Sequence, residues 1–99
     1  KSAITIKKHI MYSILFIPNE SYSKSKARIE LLEQLKKIMT ANRFEWISDF
    51  LFIGEQKINA VNCVLIIQNL GKQNEDFHLH FKDIKMLRIE ENISLIPAI

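Results

Sequence analysis

A stripe of apolar side chains in residues 23–41 constrains the fold more than any other feature of the sequence. Apolar residues recur there at spacings of three and four, and lysine, arginine and glutamate occupy the positions between them. This spacing follows the 3.6-residue turn of a helix, so it predicts an amphipathic helix with one face packed on a sheet. The stripe consists of Ile29, Leu32, Leu35 and Met39, and Leu31 and Ile38 widen it.

Strand-like segments flank this helix in the sequence. Residues 10–17 form a β-branched and aromatic run that stops at Pro18, which has no N–H to donate to a sheet. After the helix, residues 44–46 and 50–53 are two aromatic-rich segments separated by Ser48 and Asp49, a turn-like pair. The pattern predicts a buried first strand and then a hairpin.

Residues 58–70 fit either a strand or a helix. The valines and isoleucines favour a strand, but Asn59, Asn62 and Asn69 fall on one stripe of a helical wheel. We therefore predict a mostly buried helix, with Gly71 at the position just after its last turn. A polar connection at 74–76 then leads to a last strand at 84–89.

The predicted order is βαββαβ, which is the ferredoxin-like arrangement in the α+β class. We expect one antiparallel sheet with two helices on one face, within a single domain at 11–99 of the 99 residues. Residues 1–10 precede a methionine at a natural start position, so we interpret them as an N-terminal extension or an expression remnant.

Composition limits the cellular compartment and the class of partner, but it does not indicate the function. The 14 basic and 11 acidic residues give a net charge of +3, which allows a polyanionic partner without requiring one. The single cysteine, Cys63, cannot form an internal disulfide, and no 18-residue apolar run is present. We expect a cytoplasmic protein that does not enter a membrane.

Motifs of known chemistry are scarce in this chain, which has no glycine-rich phosphate loop, paired-cysteine metal site or nucleophile elbow. His78 and His80 alternate along the chain, but two histidines without a third ligand are typical of surface residues, so we predict no metal site. Cys63 lies among valines and a leucine, as a buried core thiol does. Trp46 could stack on a base, although an aromatic residue beside a sheet is more typical of a core or a dimer interface.

The remaining candidates for catalysis and nucleic-acid binding are charged residues. Asp83 lies between Lys82 and Lys85, where its carboxylate could form an ion pair, bind a metal ion or take part in catalysis. Basic residues follow the first helix and its exit, either as a solvated face or as a nucleic-acid groove. The candidates for nucleic-acid binding are Lys24, Lys26, Arg28, Arg43, Lys82 and Lys85.

Four segments of the chain follow a recognisable family pattern. They are Met11 to Phe16 (MYSILF), Phe44 to Trp46 (FEW), Asn59 to Leu65 (NAVNCVL) and the run from Lys82 to Asn92 (KDIKMLRIEEN). In these segments the chain resembles the VapD family (virulence-associated protein D). The last run is the most specific, and the resemblance spans about 11–99. It also relates the chain to the small ferredoxin-like nuclease subunit of CRISPR adaptation complexes.

The resemblance implies a homodimeric endoribonuclease that acts on RNA as the toxin of a toxin-antitoxin pair, with an antitoxin protein as its partner. In the related nuclease fold an aspartate at the end of the first strand holds a divalent cation near the scissile phosphate, and this cation is the one cofactor that the resemblance implies. Here that position is Ile17, which can neither bind a cation nor move a proton. Phe50 likewise occupies the position of a family serine.

Two hypotheses follow from these departures. In the first, the chain is a VapD-like endoribonuclease in which Asp83, Asp49, Ser48 or Glu20 replaces the missing groups. In the second, it is a catalytically inactive dimer that binds nucleic acid or a partner protein. The apolar tail also predicts an oligomer, because it has little core left to join and could add to the sheet edge of a partner. The expected dimer contacts are Ile93, Leu95, Ile96 and Pro97; the alternative is a tail folded on its own subunit.

Overall fold

The elements of the chain follow the predicted order. The structure, a computed structural model, describes residues 10–20 and 25–99. The strands are β1 (Met11–Pro18), β2 (Phe44–Ser48), β3 (Leu51–Gly54) and β4 (Phe81–Ile89), and the helices are α1 (Ser25–Ala41) and α2 (Ala60–Gln73). The strands form one antiparallel sheet in the order β2-β3-β1-β4. The predicted α+β, ferredoxin-like fold is therefore confirmed.

The core lies between one face of the sheet and the two helices. Ile14 and Phe16 of β1 and Phe52 of β3 are at most 1% exposed. Each buried side chain of this size stabilises the fold by about 1.5–3 kcal/mol relative to an exposed position. The helices contribute Leu35 and Met39 from α1 and Cys63, Ile66 and Leu70 from α2. These two α1 residues belong to the predicted apolar stripe, and Leu31, Leu32 and Ile38 pack against the core beside them. The prediction is wrong for Ile29, which is 65% exposed, so the packed face begins about one turn later than predicted.

An aromatic cluster closes the core at the end where β1 stops. The Phe16 ring lies 5.2 Å from that of Phe81 and 5.9 Å from that of Phe52, measured between ring centroids. Phe77 also packs on Phe81, at 5.0 Å. Because Phe81 belongs to this cluster and pairs with Pro18, β4 begins there rather than at the predicted residue 84.

The predicted end of α2 at Gly71 is wrong. The helix continues to Gln73, and the N–H of Asn74 donates to the carbonyl of Leu70. Gly71 is exposed and has no positive φ, so nothing there requires the chain to turn. The chain leaves the helix at Asn74 instead, and a short 3-10 turn (Phe77–His80) then places Phe77 in the core.

The prediction that α2 is mostly buried is also wrong. Val61, Val64 and Leu65 are 64%, 50% and 49% exposed, whereas only one side of the helix meets the sheet. Its start is well defined, because Asn59 and Asn62 exchange side-chain and backbone hydrogen bonds of 2.9 Å in a capping box. These two bonds satisfy N–H groups that the first helical turn leaves without partners.

No helix in the described part of the chain has both the length and the apolar character needed to cross a membrane. Nine of the ten residues of the predicted N-terminal extension, and Lys24 among the candidate basic residues, lie outside the described ranges. The C-terminal tail is described, and its apolar side chains are exposed. Ile93, Leu95 and Ile96 are 70%, 75% and 72% exposed, so the tail does not fold back on its own subunit.

Candidate active site

Three connections meet at the end of the sheet where β1 stops. The N–H of Phe16 donates to the carbonyl of Phe50 at 3.0 Å, which brings the β2–β3 turn to this end. The N–H of Asn19 donates to the carbonyl of His80 at 2.8 Å, which joins the β1 exit to the start of β4. Antiparallel pairing thus brings together segments that are far apart in sequence.

Asp83 lies directly opposite Ile17 in the pairing of β1 with β4. Opposed residues of an antiparallel pair point to the same face, with Cβ atoms about 5 Å apart. Since Phe16 and Ile14 face the core, Ile17 and Asp83 lie on the opposite side of the sheet. A carboxylate is therefore present next to the position where the family pattern would place one, but on the neighbouring strand.

We call this second side of the sheet the open face. It carries the alternate residues of β1 and their partners in register on β3 and β4, and it is largely apolar. Ser13 is its buried polar member, and the Ser13 hydroxyl approaches the Leu87 carbonyl at 3.5 Å. The open face consists of Met11, Ser13, Leu15, Ile17, Leu51, Ile53, Asp83, Lys85, Leu87 and Ile89.

The Asp83 carboxylate has few partners within the described residues. Its Oδ1 accepts the N–H of Ile84 at 2.8 Å, and its Oδ2 lies 3.5 Å from the ammonium of Lys85. Both side chains are about half exposed, at 52% and 55%. An ion pair this exposed contributes about 1 kcal/mol or less to stability. The carboxylate and the ammonium thus remain accessible to a substrate.

A cleft of about 400 Å³ lies next to this pair, at the β1 exit. It is lined by Ile17, Pro18, Asn19, Glu20 and Lys82. The pairing of β1 with β4 shifts register between Ile17 and Pro18, and irregularities of this kind redirect side chains at sheet rims and active sites. Glu20 is exposed at the cleft, so the structure brings it to the same end of the sheet as Asp83.

Ser48 and Asp49 are at this end of the sheet but not beside Asp83. β3 and β1 lie between β2 and β4, and a spacing of about 4.8 Å between strands puts the two edges about 14 Å apart. Asp49 has a left-handed backbone, with φ 47°, and its carbonyl accepts the Trp46 indole N–H at 2.9 Å. Phe50, in the position of the family serine, is 7% exposed and packs on Phe81.

The basic candidates divide between the two ends of the sheet. Lys82 and Lys85 flank Asp83 on β4, and Lys26 and Arg28 lie in the first turn of α1, which follows the β1 exit. Arg43 lies at the opposite end, because it precedes Phe44, which pairs with Gly54 at the far end of β3. The sequence could not separate Arg43 from the others, since its position depends on strand pairing.

The remaining candidates, His78, His80 and Cys63, lie where side chains typically have a structural role. His78 and His80 lie in a 3-10 turn rather than on a strand. Within residues 10–20 and 25–99, no three His, Cys, Asp or Glu side chains are grouped to hold a metal ion. Cys63 is 2% exposed, and burial raises the pKa of its thiol, as is typical of an inert core cysteine.

The contact between Lys36 and the Trp46 ring was not predicted from the sequence. The Lys36 ammonium lies 3.7 Å from the centroid of the Trp46 ring, and it also pairs with Glu33 at 3.1 Å. Trp46 is 40% exposed, so it is not a core residue. A lysine over one face of the ring leaves less of that ring available to stack on a base.

Comparison with known proteins identifies two curated relatives. The chain is 37% identical to endoribonuclease VapD 2 of Riemerella anatipestifer over 94 residues, which cover 90% of the chain and 99% of that protein. It is 40% identical to the endoribonuclease VapD homolog of Helicobacter pylori over 70 residues, covering 71% of the chain and 74% of that relative. No protein-family model matches the sequence.

Proposed function

The chain belongs to the VapD family of endoribonucleases, and we propose that it cuts RNA at the β1 exit, with Asp83 as the catalytic carboxylate. The observation that carries this proposal is the register of β1 with β4. It places Asp83 directly opposite Ile17, where the resemblance implies an acid. The neighbouring strand thus supplies a carboxylate within about 5 Å of the expected Cβ position.

The surroundings of Asp83 suit phosphodiester cleavage. A carboxylate can accept the proton of an attacking oxygen, a step that contributes about 10²- to 10⁴-fold to a rate. The ammonium of Lys85, 3.5 Å from Asp83 Oδ2, and that of Lys82 at the adjoining cleft can neutralise charge that develops on the phosphate. Glu20 is the second carboxylate available at this cleft, and a divalent cation held there would activate water.

Substitution of Asp83 tests the proposal. Asp83→Ala should lower the rate of RNA cleavage by about 10²-fold or more, because the proton acceptor is removed. Glu90→Gln is the matched control, since Glu90 is also an exposed acid at β4 but lies past its far end. The rate is measured on a labelled RNA, with and without EDTA. Cleavage that is unchanged in Asp83→Ala, or that separates from the protein on further purification, contradicts the assignment.

The reverse substitution gives a second test of the same site. Ile17→Asp places a carboxylate opposite Asp83, and two acids at this spacing can hold a divalent cation. We expect faster cleavage that depends on added Mg²⁺ or Mn²⁺. Ile47→Asp, on the edge strand β2, is the control for a new surface acid. A rate for Ile17→Asp no higher than that of the control would show that this position is not catalytic here.

The inactive binding protein remains the second candidate function, and two observations favour it. Ile17 has an alkyl side chain, and Phe50 is fixed in the core by Phe81. This candidate predicts no cleavage by the purified protein but salt-sensitive association with RNA or DNA. Binding without cleavage under conditions in which a known VapD protein cuts RNA would select it over the nuclease.

We propose further that the protein works as a homodimer, and in the cytoplasm, where RNA is its substrate. The exposed tail carries Ile93, Leu95 and Ile96, and the open face adds Leu87, which is 42% exposed. Exposed apolar side chains grouped in this way are typical of an interaction site. A toxin role, with an antitoxin protein as partner, rests on the family resemblance. A small open reading frame adjacent to the gene, whose product binds this protein and suppresses cleavage, is the expected observation.

A further inference from the structure

A second cleft lies on the helix side of the sheet, between α1 and the end of α2. Its volume is about 450 Å³, within the range of about 300–1,000 Å³ that small-molecule sites occupy. Leu35, Leu70 and Phe77 form its apolar floor. Its rim is polar and carries Gln34, Gln73, Glu75 and Asp76. The lining exposes more polar than apolar surface, so the cleft suits a flat ligand that also makes hydrogen bonds.

This cleft adjoins the proposed active site. Its lining includes His80, whose carbonyl accepts the N–H of Asn19, and Asn19 lines the cleft at the β1 exit. One backbone hydrogen bond of 2.8 Å therefore joins the walls of the two clefts. An RNA strand that crosses the end of the sheet can reach both with neighbouring nucleotides.

The charges of the rim select the kind of group that fits. Glu75 and Asp76 are acidic, and none of the described residues that line the cleft is a lysine or an arginine, so a phosphate is disfavoured inside it. A carboxylate only accepts hydrogen bonds and can accept two in parallel. Guanine is the one RNA base whose Watson–Crick edge carries two adjacent N–H donors, N1–H and the N2 amino group. From this chemistry, and resting on the proposed function, we propose that the cleft binds a guanine base of the RNA beside the scissile phosphate.

Arg28 fits the phosphate of the same nucleotide. It lies on the α1 stripe of Leu31 and Leu35, one turn nearer to the β1 exit, because residues three and seven apart share a helix face. Its Nε is buried and has no hydrogen-bond partner in the described part of the chain. A buried donor without a partner is destabilising, and a phosphate oxygen would satisfy it.

Nucleoside binding tests the proposal independently of cleavage. Guanosine, adenosine, cytidine and uridine are titrated separately into the full protein and followed by NMR chemical shifts. We expect guanosine to bind about tenfold or more tightly than the others, with shifts at Leu70 to Phe77. The double substitution E75Q/D76N should remove this preference, whereas Glu55→Gln, an exposed acid after β3, should keep it. Equal affinity for all four nucleosides, or shifts confined to other surfaces, would overturn the proposal.

A second comparison tests Arg28. Arg28→Gln should weaken binding of guanosine 3′-monophosphate by about tenfold while guanosine itself binds as before, because only the phosphate contact is lost. Lys37→Gln, exposed further along the same helix and not among the nucleic-acid-binding candidates, is the control. Equal loss for both ligands, or loss in the control alone, would overturn the assignment of Arg28.

Cleavage patterns distinguish an RNA base from a free nucleotide. On an RNA with a single guanine, cuts next to that guanine should disappear in E75Q/D76N while total cleavage elsewhere persists. An unchanged pattern in a variant that has lost guanosine binding would overturn the RNA assignment. Guanosine binding by a protein that cuts no RNA would refute the proposed nuclease and, with it, the link to a scissile phosphate. Cleavage without guanosine binding would refute the base site alone.

Discussion

Gly54, the last residue of β3, has a packing role that its neighbours define. A Cβ at this position would lie 2.8 Å from Ile58 Cγ2, 2.9 Å from Ile58 Cβ and 3.2 Å from the carbonyl oxygen of Tyr12. Gly71, in contrast, has no atom within 4 Å of an added Cβ. The two glycines of the chain thus differ in what an added methyl group would meet.

We expect Gly54→Ala to lower the free energy of unfolding by about 1–3 kcal/mol, because the methyl group would overpack the contact with Ile58. Gly71→Ala should raise it by about 0.5–1 kcal/mol, since alanine loses less backbone entropy than glycine in a helix. Urea denaturation of both variants, with equal m-values, measures the two changes. A stabilising Gly54→Ala would show that Ile58 moves aside freely.

The candidate site shows what single residues in a sequence can and cannot predict. Asp83 was identified from its neighbours Lys82 and Lys85, and the loss of an acid at Ile17 was identified from the family resemblance. That these two positions face each other depends on the register of β1 with β4, which neither segment encodes alone. The acidic rim at Glu75 and Asp76 looked like a polar connection, because the helix stripe that completes the cleft lies 40 residues earlier.

At the scale of the elements, α2 is the helix that the sequence predicted least well. Its asparagine stripe identified a helix where valine and isoleucine favoured a strand, and Asn59 proved to be its cap. The C-terminal end of α2 was predicted wrongly at Gly71. It is determined instead by the packing of Phe77, which enters the core just after the helix. Helix ends that tertiary packing determines are not visible in a local pattern.

The cap of α2 gives a prediction at this scale. Asn59→Ala should lower the free energy of unfolding by about 1 kcal/mol, because the N–H of Asn62 loses its acceptor. Asn69→Ala is the control: Asn69 is exposed on the same helix and has no role at either end, so stability should be unchanged or slightly higher. Equal losses for both variants in thermal unfolding would mean that the capping box does not stabilise the helix.

At the scale of the whole molecule, the apolar surface exceeds what the fold itself uses. Both described helices pack on the other side of the sheet, and the open face has Leu87 as an exposed apolar residue at 42%. The tail from Ile93 to Ile99 is also exposed. The sequence predicted that the apolar tail would have little core left to join, and its exposed side chains agree with this. Its addition to the sheet edge of a partner stays a prediction. The open face was not predicted, since alternation along β1 is hidden by apolar residues on both of its sides.

Deletion of residues 93–99 tests the role of the tail. The truncated protein should retain its circular dichroism spectrum, because the tail is exposed and buries nothing against the described residues, but the proposed dimer should be lost in light scattering. If Ile93, Leu95 and Ile96 are buried in the interface, the loss of each weakens the free energy of association by about 1.5–3 kcal/mol. Ile93→Ser with Ile96→Ser, in the full-length chain, should weaken the dimer in the same direction. A truncated protein that remains a stable dimer would show that the open face suffices.

Chemical labelling of Cys63 can measure how often α2 separates from the sheet. The thiol is almost fully buried between α2 and β1, and its raised pKa keeps it protonated and unreactive at neutral pH. A thiol reagent can therefore modify it only after α2 separates from the sheet. Because it is the single cysteine of the chain, the labelling rate at reagent concentrations high enough to outpace reclosing reports the frequency of that opening, without any introduced probe. Added guanosine, if it binds against the end of α2, would slow this rate in proportion to the occupancy of the cleft.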